Sequence, residues 1–138
     1  MTTAVFLEGT TITAGAATAR WWSPSRGVFC TEVQGHVGME VVQFLHDAWM
    51  TCHDAARAPL TTFHDWSAVT MYERDARQRY EDLSVAIMND VVVVHVLIRS
   101  RLLAMALEVA NLVLGGKLRA TSDAAAFRAR RDAPPTEA

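Results

Sequence analysis

The chain has little of what stabilises or equips the more specialised small proteins. Among 138 residues there are two cysteines, four prolines and seven glycines, and the charges nearly cancel at a formal net −2. Two cysteines cannot form a disulfide framework, so the fold must rest on a hydrophobic core, which a chain of this length can bury. Cys30 and Cys52 lie in apolar runs and read as small buried hydrophobes in a reducing compartment. Without a basic excess there is no electrostatic footprint for nucleic acid. No apolar run is long enough for a membrane span. The start, "MTTAVFLEGTTITAG", lacks a basic region, and Glu8 breaks its apolar stretch, so it does not read as a secretory signal.

Two enzyme signatures are missing as well. "LGGKLR" has neither the spacing of a phosphate loop nor the helix that should follow its lysine. "HDWSAV" is not the glycine-flanked elbow of a hydrolase, and neither cysteine stands at a nucleophile turn. The expectation is a cytoplasmic, non-enzymatic domain over residues 1–131, with a flexible tail at 132–138 and no cofactor or metal.

What is present is periodicity. Short strands are predicted around Val5–Leu7, Thr11–Thr13, Thr18–Trp22 and Val28–Val33, the last two flanking the turn signal "SPSRG". Gly35 is predicted to end this hairpin or meander. From Met39 the period becomes helical, with Val41, Leu45, Ala48 and Cys52 on one side and Glu40, Gln43, Asp47 and Asp54 on the other. A strand over Leu60–Trp66 and an amphipathic helix from about Glu73 to Met88 follow, the latter striped by Ala76, Tyr80, Leu83 and Ile87. "VVVVHVLI" reads as a strand covered on both faces. Ser100 then starts a helix through about Leu114, ended by Gly115-Gly116. A short strand over Lys117–Thr121 and a final helix capped by Ser122 or Asp123 complete the chain. The order predicts a single α/β domain: a β-hairpin or meander, then alternating α and β, in a mixed, mostly parallel sheet with about four helices.

Histidines stand next to aspartates at His46-Asp47, His53-Asp54 and His64-Asp65. His46 and His53 are two helical turns apart, about 10 Å along the axis, too far for one ion to bridge readily. His64 and His95 fall on strands expected to be parallel neighbours. They are the candidate polar anchors of a ligand site, against the plainer reading of hydrogen-bonded core histidines. The stretch from Leu102 to Leu114 is apolar nearly all round, with only Glu108 and Asn111 strongly polar. Such a helix needs cover on its flanks, which makes Leu102, Leu103, Ala106 and Val113 the candidate interface of a homodimer.

The strand "GVFCTEVQG" with its following helix, then "HDWSAVTMY", "VVVVHVLI" and "LLAMALEVANLVLGG", together resemble the STAS family, including the bacterial anti-sigma-factor antagonists and STAS-like proteins of unassigned activity. The most specific element is Asp65-Trp66-Ser67-Ala68-Val69, which looks like the family's strand-to-helix turn. The resemblance implies a protein partner, such as an anti-sigma factor, a kinase or another regulator, meeting the start of the second helix. Relatives carry an aspartate-serine pair there whose serine is phosphorylated. Glu73 and Arg74 hold those positions in this chain, so the resemblance does not extend to that switch.

Two function classes follow. One is an interaction module in bacterial signalling or scaffolding that docks a partner through Ser67, Thr70, Glu73, Arg74 and Arg77. The other is a small-molecule or lipid-binding protein with a cavity between the sheet and the Ser100–Leu114 helix, anchored by His64 and His95. A weaker variant of the first makes Ser67 or Thr70 a replacement phosphosite, against the plainer reading of hydroxyls bonded to nearby backbone.

Overall fold

The computed structural model describes residues 5–99, 111 and 115–133. Apart from Asn111, the predicted Ser100–Leu114 helix, and with it Leu102, Leu103, Ala106 and Val113, lies outside the described residues. Within them the chain runs β1 (Thr11–Ala14), β2 (Ala17–Trp22), β3 (Val28–Val37), α1 (Met39–Ala56), β4 (Leu60–Tyr72) and α2 (Arg74–Ala86). A 3-10 turn over Met88–Asp90 leads to β5 (Val91–Leu97), β6 (Leu118–Thr121) and α3 (Ala124–Asp132). The six strands form one sheet in chain order; β1, β2 and β3 pair antiparallel, and β3 to β6 pair parallel.

That sequential order decides where the helices go. Crossovers between parallel strands are right-handed, so a sheet advancing in one direction receives its connecting helices on one face. α1 and α2 accordingly share a core there: Val41, Val42, Leu45 and Ala76 close over Ala17, Ala19, Val33 and Val37, with Tyr80 and Leu83 against them. α1 buries Val41, Val42, Leu45, Ala48, Trp49, Cys52 and Ala56, the stripe its sequence period announces. It ends at Arg57 in the left-handed conformation (φ 54°), two residues before Pro59. α3 lies on the other face, where Phe127 packs against Cys30, Phe63 and Leu97.

Four strand expectations need correction, the first being Val5–Leu7, where only Leu7 pairs, in an isolated bridge to Ser23. β3 runs on to Val37, so Gly35 does not end the sheet. It stays in the ladder at φ +88°, where a side chain would collide with the Ala16 carbonyl. β4 extends six residues beyond Trp66, to Tyr72, because "WSAVTMY" is rich in residues that fit a pleated sheet and the lengthened β3 offers it a partner. The Asp65–Val69 segment is therefore strand, not a turn into a helix. Finally, β5 is not covered on both faces throughout. The pairing moves from Leu60↔Val91 to Thr61↔Val93, leaving Val92 without an opposite and 56% exposed.

Candidate functional site

Within β4 the ladder with β3 moves from Glu32↔Asp65 to Gln34↔Ala68, so Trp66 and Ser67 together oppose Val33. This is a β-bulge: β4 carries one extra residue here and bends, while Trp66 and Ser67 stay on opposite faces. Trp66 points toward the α1–α2 side, with its ring edge-on to Tyr80 at 5.1 Å. Its indole N–H donates to the Thr31 hydroxyl (3.2 Å), which in turn lies 2.6 Å from His64 Nδ1. Thr31 has one proton to give, and giving it to Nδ1 places the ring hydrogen of neutral His64 on Nε2. Burial disfavours the imidazolium and pushes the His64 pKa down to about 4. His64 is thus a neutral, buried link in a Trp66–Thr31–His64 chain.

Ser67 turns to the opposite face, beside Asp65. Its hydroxyl donates to Asp65 Oδ1 at 2.7 Å, and its backbone N–H approaches the same oxygen at 3.3 Å. Arg128 of α3 donates to Oδ2 at 3.1 Å, and Arg131 Nη1 stands 4.0 Å from that oxygen. Burial raises the Asp65 pKa, but the bonds from Ser67 and Arg128 outweigh it and hold the carboxyl below its ordinary value. Nearby, Trp22 lies under the Arg20 guanidinium at 4.3 Å and that of Arg131 at 5.5 Å, while Arg20 pairs with Glu32 at 3.0 Å. Burial pushes the adjacent Cys30 thiol up to about 12, which makes it a core residue rather than a nucleophile.

The two histidine candidates do not converge. His95 is the register partner of Phe63 and stacks on it at 4.7 Å. Phe63 and His64 are consecutive in an extended strand, so His95 and His64 occupy opposite faces of the sheet. Burial lowers the His95 pKa, helped by the charges of Arg130 and Arg119. Among the described residues no three histidines, cysteines or carboxylates gather as metal ligands would.

The remaining candidates separate in the same way. Ser67 is across the sheet from α2 and engaged with Asp65, so it does not join Arg74 and Arg77. Thr70 is exposed near the carboxyl end of β4, the end from which α2 starts. Glu73 caps the backbone start of α2, and all of Glu73 to Arg79 except Ala76 is exposed. Arg77 reaches Glu81 one turn along, at 3.3 Å. The Glu73 carboxylate leans back over the start of α1, 3.4 Å from His36 Nε2 and against Gly38, where a Cβ would meet it at 3.3 Å. A cleft of about 440 Å³ opens there, walled by Gly15, His36, Gly38, Met39 and Glu73. Met39 and Met71 flank this end of the sheet and are 45% and 58% exposed.

Sequence reasoning missed His36, Met39 and Met71 at this end, and Arg20, Arg128 and Arg131 around Asp65. For the arginines a signal existed. Arg128 and Arg131 are three apart in "FRARR", hence neighbours on one side of a helix, where a single carboxylate can meet both.

No protein-family model and no curated protein matches the chain. A solved structure does: an uncharacterized protein of the DUF3478 family with a SpoIIAA-like fold, from Shewanella loihica PV-4. The two superpose with a TM-score of 0.66 over 87% of this chain and 97% of that one, at 13% sequence identity. The chain has the SpoIIAA-like fold. At that identity the likeness carries architecture and not activity, but it agrees with the STAS-like resemblance of the sequence.

Proposed function

We propose that this SpoIIAA-like domain is a cytoplasmic, non-enzymatic interaction module of bacterial signalling or scaffolding. It docks a protein partner at the carboxyl end of β3 and β4, across Thr70, Glu73, Arg74 and Arg77. The observation that carries this reading is the makeup of that end. Two exposed methionines, adaptable apolar contacts, lie beside a cleft and a run of exposed charges on the first turns of α2. Apolar centre and charged rim are the ordinary anatomy of a docking patch. Among the described residues no helix is long and apolar enough to cross a membrane. Homodimerisation belongs to the same reading, on the strength of the apolar sequence between Leu102 and Leu114.

Neither a phosphoserine switch at the helix start nor a second function for Ser67 is part of the proposal, since Arg74 holds the first position and Asp65 engages the second. The test is a quantitative pull-down from source-cell lysate with the tagged full chain and its R74E/R77E variant. Rim charges steer partners, so the double reversal should cut recovery of the bound partner by roughly tenfold or more while circular dichroism stays unchanged. Equal recovery by a folded double variant would remove the docking surface.

A further inference from the structure

Among the described residues, α3 is the one helix on its face of the sheet, and it is held there by very little. It is nine residues long and buries a single side chain, Phe127, where α1 buries seven. Helices this short do not stand alone in water. Its ion pairs converge on one carboxylate, Arg128 bonding Asp65 at 3.1 Å and Arg131 approaching the same oxygen at 4.0 Å, and Arg131 also lies over Trp22 at 5.5 Å. Beneath it lies a set of side chains unlike the solvated rim of that face. Cys30, Phe63 and Leu97 are all at most 6% exposed, with Trp22 and Val28 packed beside them. Two residues, Ser122 and Asp123, join α3 to β6, and Asp123 caps the helix locally through Ala126 N at 3.0 Å.

We infer that α3 is a latch: it comes away as a unit while the rest of the domain stays folded, uncovering the surface formed by Trp22, Cys30, Phe63 and Leu97. Asp65 is the catch. Ser67, two residues along β4 on the same face, fixes the carboxylate toward α3, with Oδ1 held by Ser67 and Oδ2 left for the arginines. Cys30 is the built-in reporter, because its thiol is fully buried with the latch shut. Cys52, the other thiol, belongs to the α1 side of the sheet and can be removed.

The experiment is thiol labelling of the full chain carrying Cys52→Ala, with an aromatic disulfide reagent and increasing urea below the unfolding transition. Local opening exposes little surface, so the Cys30 labelling rate should be nearly flat in low urea, while the global unfolding equilibrium changes steeply. Asp65→Asn should raise that flat rate about tenfold or more, roughly the factor carried by one charge-assisted hydrogen bond. Arg128→Gln in the same background reports on the catch from the helix side, should the Asp65 variant fold poorly. A labelling rate that follows global unfolding in the parent protein, or one unmoved when the catch is altered, overturns the latch.

Discussion

His64 makes a prediction whose size can be worked from its surroundings. The folded ring takes up its proton only near pH 4, because the site that would become charged is sealed from water, whereas a free histidine does so near 6.5. Between those values the unfolded chain binds more protons than the folded one, so acid favours unfolding. The stability contribution is full above about pH 6.5 and falls as the pH drops toward 4. The whole gap corresponds to about 3 kcal/mol, a large share of the 5–15 kcal/mol typical of a domain. Asp65, with a lowered pKa, acts in the same sense but below its ordinary 3.8, outside this window. His95 shifts in the same direction as His64 but is common to any pair of proteins that differ only at His64. The comparison is therefore wild type against His64→Gln, which keeps an acceptor for Thr31 and does not titrate. Urea unfolding at about pH 7 and about pH 5 should show wild type losing about 2 kcal/mol more than the variant between the two. Equal losses, or a His64 imidazole resonance (assigned by its disappearance in His64→Gln) that titrates near 6.5 in the folded protein, would refute a sealed neutral ring.

Other expectations test the sheet itself. Gly35→Ala should cost about 2 kcal/mol or more, since the left-handed φ and the Ala16 carbonyl both oppose a side chain, and thermal melting reads this directly. Gly15→Ala, also left-handed but with open space around it, should cost clearly less; equal drops in Tm would discredit the collision argument. Trp66→Phe removes the donor to Thr31 and should lower stability by about 1 kcal/mol, with no effect on the Cys30 labelling slope.

The fold was legible wherever one face of an element is buried and the other is wet. α1 announced itself through Val41, Leu45, Ala48 and Cys52, and α3 through the Asp123 cap and Phe127, because helical period and capping are local signals. The lengths of β3 and β4 were not legible. Gly35 looks like a terminator in sequence, yet it serves the ladder by letting the Ala16 carbonyl come close. That approach exists only once β2 is in place. The candidate site divided along the same line. Glu73, Arg74 and Arg77 follow from one helix and were found together. The partners of Asp65 come from β4 and α3, sixty-three residues apart in the Arg128 contact, and no local pattern joins them.

The Asp65–Ser67 bulge connects what would otherwise be two separate halves of the molecule. Strict alternation would send Trp66 and Ser67 to opposite faces but keep one residue of β3 for each of them. By opposing both to Val33, the strand gains a residue and bends, and β4 can still regain register with β3 at Gln34↔Ala68. On one side the bulge seats Trp66 over Thr31, next to Tyr80 of α2. On the other, Ser67 fixes the Asp65 carboxylate that holds α3. A change that straightens this bulge should therefore be felt on both faces at once. That coupling gives the Asp65–Val69 stretch of β4 a physical role without any reaction: it sets the position of α2, where a partner is proposed to dock, and the grip on α3, which is proposed to open. Deleting Ser67 would remove the extra residue, and both the Trp66 contact to Thr31 and the Asp65 catch should fail together. If either survives intact in the deletion variant, by indole N–H shift or by Cys30 labelling, the two faces are independent and the coupling is wrong.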